Sequence, residues 1–269
     1  IKMIKTLIIG LGKIGLDYDY KLRSKNIYIT HANSIKNHKK FKLVGGVDIN
    51  KSCRLKFEKK FSVKSFNSYS EALKRTMPNL IILSTQVKDY VKVFKYFSEN
   101  KSVKFVLFEK PFFINENEKK KLFKLAKKNN TNFTINFQRN FNPIYEDIVK
   151  KIINGEIGKN INMYIWYTGK FFSNAIHFIP LFFPMTKSII KIKKNKNITI
   201  DFKKISMNFF NLKGNFTNHR LDIYGKKGKI EINSRYQQSI TWNVKKDRYF
   251  KGHNILNKKK TFRIDTLKD

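Results

Sequence analysis

At 269 residues the chain is long enough for two modest domains, each with its own core, and a hydrophobic fraction of 41% excludes an intrinsically disordered protein. A formal net charge of +38 raises nucleic acid or an anionic membrane as partners, yet the basic residues are almost all lysine, spread from Lys2 to Lys268, with eight arginines among 57. Arginine is the better reader of bases and phosphates, so the lysines read as a solvated coat that attracts anionic small molecules; neither a membrane nor a specific nucleic acid is expected.

In chain order, 5–9 is a short apolar run ending at glycine and reads as a buried strand. A helix is expected to start inside Gly10-Leu11-Gly12-Lys13-Ile14-Gly15 and to run towards Arg23. The segment 41–47 is a second strand closing on Asp48, and 51–61 is helical in pattern. A short helix over 70–75 with Ser70 as cap precedes a strand at 80–83, a helix at 87–98 and a strand at 103–108. Asn115, with Glu118 three residues on, resembles a capping box and opens a lysine-rich helix to Lys128. This alternation with short connections predicts a doubly wound parallel sheet.

The second half changes character. A strand at 132–137 and a helix at 142–153, stopped by Asn154-Gly155, lead into strands at 162–168, 187–193, 198–202, 205–210, 219–224 and 229–232. A mostly antiparallel open sheet with a helix or two on one face fits. The predicted fold is α/β, a doubly wound domain over 1–125 followed by an α+β domain over 126–269.

Cys53 is the only cysteine, which leaves neither a disulfide framework nor a thiolate metal site. His31, His38, His219 and His253 read as ordinary helix, loop, strand or tail residues without metal-ligand spacing, so no metal is expected. The longest apolar stretches, 80–83 and 178–183, fall far short of the roughly twenty residues that cross a bilayer, and no secretory signal precedes the first strand. A cytoplasmic protein is expected, with Met3 as its natural start.

Two features carry chemistry. The glycine turn stands between a strand and a helix, where backbone N–H groups face a dinucleotide pyrophosphate; the first two glycines keep side chains out of the way and the third lets the helix pack on the strand. Asp48, at the end of the second strand, suits the ribose hydroxyls and repels a 2′-phosphate, which favours NAD; Lys51 and Arg54 nearby leave NADP open. Asp48 also suits a cap for the helix at 51. Glu109-Lys110-Pro111 follows another apolar run and puts a lysine where the reactive end of such a cofactor lies. An ammonium beside a substrate oxygen stabilises developing alkoxide charge, so Lys110 is the expected acid/base group of a nicotinamide-dependent oxidoreductase.

With Val44-Gly45-Gly46-Val47-Asp48, Ser70-Glu71-Ala72-Leu73, Ser84-Thr85-Gln86, Asn136-Phe137-Gln138-Arg139, Gly155-Glu156-Ile157-Gly158 and Tyr224-Gly225-Lys226-Lys227-Gly228, the chain resembles the Gfo/Idh/MocA oxidoreductases over most of its length. That family includes glucose–fructose oxidoreductase and inositol dehydrogenase. The resemblance implies a Rossmann domain, then an open antiparallel α/β domain whose sheet joins a homo-oligomer. It also implies NAD(P)-dependent hydride transfer to or from a sugar, polyol or sugar-nucleotide-like alcohol or ketone. Lys110 matches the family's catalytic lysine, on a bond to Pro111 that is often cis, and His177 matches its active-site histidine, a relay for the hydroxyl proton. Gly10, Gly12, Lys13, Ile14 and Gly15 are expected to cradle the pyrophosphate, with Ser84, Thr85 and Glu109 towards the nicotinamide. Asn136, Arg139, Tyr167 and Asn174 are expected substrate contacts, and Arg139 with the lysine coat suits an anionic substrate.

The chain also departs from the family pattern. Pro180 stands where many members have Asp three residues after the histidine, and Gln86 and Tyr90 stand where many have Pro and His. Two alternatives follow: a member that binds NAD(P) without turnover and, weaker, a nucleic-acid binder.

Overall fold

The computed structural model describes residues 3–22, 28–85, 87–186, 188–195, 197–214, 216, 219–233 and 238–263. Of the positions named above, Lys2, Arg23, Gln86, Lys187 and Lys268 lie outside that set. The chain divides into two units, Ile1–Asn136 and Phe137–Asp269. The division falls later than the expected residue 125, because the strand at Asn132–Ile135 joins the parallel sheet of the first unit.

The first unit runs β1 (Ile4–Ile9), a single π-helical turn (Lys13–Asp17), α1 (His31–Asn37), β2 (Phe41–Val47), α2 (Lys51–Phe61) and β3 (Ser65–Phe66). It continues with α3 (Tyr69–Thr76), β4 (Leu80–Leu83), α4 (Tyr90–Ser98), β5 (Phe105–Phe108), α5 (Glu116–Asn129) and β6 (Asn132–Ile135). The strands form one six-stranded parallel sheet in the order β3-β2-β1-β4-β5-β6. Successive residues of a strand point to opposite faces, and here both faces are covered. Leu7, Ile9, Ile81 and Leu83 pack with Phe94, Phe97 and Leu122, whereas Ile8 and Ile82 pack with Leu16, Ile35, Phe57 and Phe61. The uninterrupted apolar strands β4 and β5 are the consequence.

Helix starts follow from their caps. Asn115 and Glu118 form the expected capping box, while α3 is capped by Ser68 rather than Ser70 and α4 by Asp89, so that α4 starts at Tyr90, three residues after the expected 87. The largest departure is after the glycine turn, where one π turn replaces the expected helix. Asp19 is the reason: its buried carboxylate accepts from the backbone N–H groups of Ile29 (2.8 Å) and Thr30 (2.9 Å) and from the Thr30 hydroxyl (2.7 Å). Burial pushes this carboxyl up, but those donors outweigh it and hold it below its ordinary value. Thr30 in turn caps α1, so the helix starts at His31.

The second unit contains a 3₁₀ turn (Gln138–Phe141), α6 (Pro143–Ile153), β7 (Ile161–Tyr167), α7 (Phe171–Asn174), a 3₁₀ turn (Ala175–His177) and α8 (Phe178–Thr186). Seven strands follow: β8 (Ile189–Lys194), β9 (Ile198–Phe202), β10 (Ile205–Asn211), β11 (His219–Gly225), β12 (Gly228–Asn233), β13 (Gln238–Lys246) and β14 (Asn254–Arg263). The eight-stranded sheet has the order β14-β13-β12-β11-β7-β10-β9-β8, antiparallel except for the β7–β10 pair. One face carries Met163, Ile165, Met207, Phe209, Leu221 and Ile223 against Ile148 of α6 and Phe178 and Phe182 of α8. Sequence reading missed α8, whose residues are apolar all round and show no period, and β13 and β14, of which β14 is exposed along most of its length. Among the described residues no helix is long and apolar enough to cross a membrane.

Candidate active site

The parallel register lays out the first unit's functional edge. Ile9 pairs with Val47 and Leu83, Leu83 with Phe108, and Phe108 with Ile135. One residue beyond that row, Asp48, Gly10, Ser84, Glu109 and Asn136 follow each other along the carboxyl ends of the strands. Ligands of open α/β sheets bind at that edge, where the strand order reverses, here between β1 and β4.

Gly15 must be glycine, because a Cβ on it would lie 2.1 Å from the Gly10 carbonyl oxygen. That carbonyl also accepts from Ser84 Oγ at 2.7 Å, which ties the end of β4 to the turn, and Thr85 is exposed beside Gly10. Gly12 is different. Its φ of −81° and ψ of −152° are extended backbone, and a Cβ there would meet nothing within 4 Å. Neither conformation nor packing asks for glycine at this position. The N–H groups of Gly12, Lys13, Ile14 and Gly15 enter none of the hydrogen bonds formed among the described residues. Orphan donors around open space fit an anionic group such as a pyrophosphate.

Asp48 fits the same ligand. Its Oδ2 accepts from Leu11 N and its Oδ1 from Asn50 N, both at 2.8 Å, and Arg54 Nη1 donates to the carbonyls of Asp48 (2.8 Å) and Ile49 (3.0 Å). Each carboxylate oxygen keeps a further lone pair, so the half-buried Asp48 holds the glycine turn and can still accept from a ribose hydroxyl. The expected cap of α2 is instead Asn50, whose side chain accepts from Ser52 N.

At the end of β5, Glu109 N donates to Leu83 O at 3.0 Å and the Lys110–Pro111 peptide is cis. Tyr90 Oη donates to Pro111 O at 2.9 Å, and the Tyr90 ring packs on Phe108 and Phe112 at centroid distances of 5.7 and 4.3 Å. Glu109, expected towards the cofactor, is turned into the protein, with its side chain 10% exposed. Its Oε1 accepts from His31 Nε2 (2.7 Å) and Asn136 Nδ2 (2.6 Å), and its Oε2 from Lys110 N (3.2 Å). Burial pushes the Glu109 carboxyl up, but these hydrogen bonds and the His31 ring hold it below its ordinary value. Asn136 is thereby tied to Glu109 through its Nδ2. Sequence reasoning missed His31, which lies far from Glu109 along the chain; no local pattern joins the two.

In the second unit the substrate-contact candidates are also engaged. Tyr167 is 5% exposed in the core, with its ring on Phe171. Asn174 Nδ2 donates to Thr168 O at 2.6 Å, and Asn174 O accepts from Arg139 Nη1 at 3.3 Å. His177 is 8% exposed and meets Phe137 edge-on at 5.9 Å. The Arg139 guanidinium lies 4.5 Å over the Phe178 ring, and no carboxylate pairs with it among the described residues. Pro180 sits in the first turn of α8, where its missing N–H costs no helical bond.

Burial, with Arg139 adding to it, takes the His219 pKa down to about 4. The folded value lies below the unfolded one, so the unfolded chain binds the extra proton first and stability falls as pH drops from about 6.5 towards 4. Between pH 7 and pH 5 the wild type is expected to lose about 2 kcal/mol more than His219→Gln, as read from urea midpoints at both pH values. Equal losses in the two proteins would count against a buried neutral His219.

Residues 4–137 match the model of an oxidoreductase family with an NAD-binding Rossmann fold, Gfo/Idh/MocA. The chain belongs to that family. The match ends where the first unit ends. No curated protein matches in sequence.

Solved structures extend the likeness of fold into the second unit. A myo-inositol 2-dehydrogenase from Lactobacillus plantarum is 18% identical, with 86% of this chain and 76% of that one covered at a TM-score of 0.69. A dehydrogenase (MviM) from Clostridium difficile is 17% identical over 96% and 83%, at 0.71. The WlbA dehydrogenase from Bordetella pertussis, crystallised with NADH and UDP-GlcNAcA, is 15% identical over 86% and 78%, at 0.69. As a Gfo/Idh/MocA member the chain is an NAD-binding oxidoreductase, and Tyr90, at the position where many members have histidine, braces the Lys110–Pro111 turn through Pro111.

Proposed function

We propose that this Gfo/Idh/MocA protein transfers hydride between NAD and a sugar, polyol or sugar-nucleotide-like alcohol or ketone. The observation that carries the reading is Gly12: a glycine that backbone and packing do not require, ringed by N–H donors that engage no described residue, on the same sheet edge as Lys110. When bound, the nicotinamide supplies the hydride acceptor or donor. The chain's residues handle the rest. Gly12, Lys13, Ile14 and Gly15 hold the pyrophosphate by their N–H groups, and Asp48 takes the ribose hydroxyls. Lys110 stabilises the substrate oxygen as the hydroxyl proton leaves, and His177, assigned on its motif, relays that proton. A dehydrogenase screen over neutral and charged sugars and polyols, followed at the nicotinamide absorbance, tests the reading; silence with every substrate, despite NADH binding, favours the member without turnover.

An anionic substrate is the favoured class, because Arg139 is a half-buried cation to which no described carboxylate answers and the lysine coat draws anions. Arg139→Met is expected to raise KM for a uronate or phosphorylated sugar about tenfold more than for the neutral sugar. Equal changes would argue against charge recognition by Arg139. The protein is read as cytoplasmic, with its lysines a solvated surface rather than a nucleic-acid or membrane interface.

The second unit's sheet is read as the interface of a homo-oligomer. On the face away from α6 and α8, Tyr164, Trp166 and Phe210 stack at centroid distances of 5.9 to 6.3 Å, with Arg220 5.6 Å over Trp166. An aromatic patch of this kind marks an interaction surface. Trp166→Glu is expected to shift the protein to monomers in light scattering at micromolar concentration. A monomeric wild type would refute it.

A further inference from the structure

A peptide at the mouth of an anion site can present either of two poles: its N–H attracts a phosphate and its carbonyl repels one. The Gly10–Leu11 peptide opens the glycine turn, and side chains hold both of its poles. Its carbonyl accepts from Ser84 Oγ at 2.7 Å, just past β4, and its N–H donates to Asp48 Oδ2 at 2.8 Å, just past β2. Ile9 O, also within reach of the Ser84 hydroxyl at 3.0 Å, already accepts from Ser84 N, whereas no other described residue donates to Gly10 O. Gly15 packs on the same carbonyl, which a Cβ would meet at 2.1 Å, and Gly10 itself adopts a φ of +94° that L side chains rarely take. The sorting of poles continues along the turn. Gly12 O accepts from Leu16 N (2.8 Å) and Asp17 N (3.1 Å) and Lys13 O from Tyr18 N (3.0 Å), while the N–H groups of residues 12–15 engage no described residue. These acceptors are satisfied inside the fold, and the donors are left for a ligand.

We propose that Ser84 is a positioning residue for the pyrophosphate turn: with Asp48 it clamps the Gly10–Leu11 peptide in the orientation that keeps the Gly10 carbonyl away from the anion. The inference rests on the reading of the turn as the pyrophosphate site, and it gives Ser84 a different task from the nicotinamide contact that its motif implies. Without the hydroxyl the carbonyl loses its donor, and the peptide is free to rotate at Gly10 and turn its oxygen towards the phosphates.

The test compares NADH with ADP-ribose, which carries the pyrophosphate but no nicotinamide, and with adenosine, which carries neither. In Ser84→Ala the affinities for NADH and for ADP-ribose are expected to fall by the same factor, about tenfold, the loss of one hydrogen bond. Adenosine, followed by NMR titration, is expected to stay within about twofold of its wild-type affinity. A loss confined to NADH overturns the proposal and returns Ser84 to the nicotinamide; no loss with either ligand, or an equal loss with adenosine, overturns it as well. If circular dichroism shows Ser84→Ala unfolded, Ser84→Cys takes its place with the same expected split, since the thiol keeps the stem and is a weak donor. The wild type checks the underlying reading. A wild type that binds neither NADH nor ADP-ribose removes the pyrophosphate site and the clamp with it, whereas a wild type that binds both, matched by Ser84→Ala, removes the clamp alone.

Discussion

Gly12→Val is expected to fold and melt like the wild type and to bind NADH on the order of a hundredfold more weakly. The first half follows from geometry: the backbone at Gly12 is extended and a Cβ there meets nothing within 4 Å. The second half follows from the donors. The N–H groups of residues 12–15 can reach a pyrophosphate only if nothing stands in front of them, and losing two charge-assisted hydrogen bonds of about 1.5 kcal/mol or more each gives at least that factor. Gly15→Val serves as the contrast, since its Cβ would sit 2.1 Å from the Gly10 carbonyl oxygen and the turn itself must break. Fluorescence titration with NADH and thermal melts of the three proteins read both quantities. A Gly12→Val protein that binds NADH as tightly as the wild type would falsify the assignment of the turn.

Lys110→Met is expected to lower kcat by about a hundredfold to ten-thousandfold while leaving NADH affinity within about threefold of wild type, the range over which a positioned acid/base group acts. Methionine keeps most of the unbranched stem and removes only the ammonium, so the turn braced by Tyr90 and Glu109 should persist. Steady-state rates on whichever substrate the screen identifies, with a parallel NADH titration, separate loss of chemistry from loss of binding. Full turnover in Lys110→Met would move the acid/base role elsewhere, with His177 the next residue to test.

The legible parts of the fold are those where local pattern and tertiary role coincide. The strands at 41–47 and 80–83, the helix at 51–61 and the capping box at Asn115 and Glu118 were all written in short windows of sequence, because buried parallel strands are apolar throughout and caps act within one turn. The helix expected after the glycine turn failed for the opposite reason. Asp19 gathers the N–H groups of Ile29 and Thr30 across ten residues or so, a non-local satisfaction of buried polar groups that no window contains. The run at 178–183 shows the same limit, for a segment apolar on all sides has no period to read.

By itself, then, the sequence determined the alternating architecture, the glycine turn, Asp48 and the Glu109-Lys110-Pro111 motif, since backbone conformation and ligand chemistry impose residue types at short fixed spacings. Tertiary structure alone decided the partners of those residues: His31 and Asn136 on Glu109, Tyr90 on Pro111, Leu11 N on Asp48, and Tyr167 in the core. A buried carboxylate or carbonyl must find its donors wherever the fold brings them, and sheet register, which aligns the ends of strands far apart in the chain, is what brings these ones.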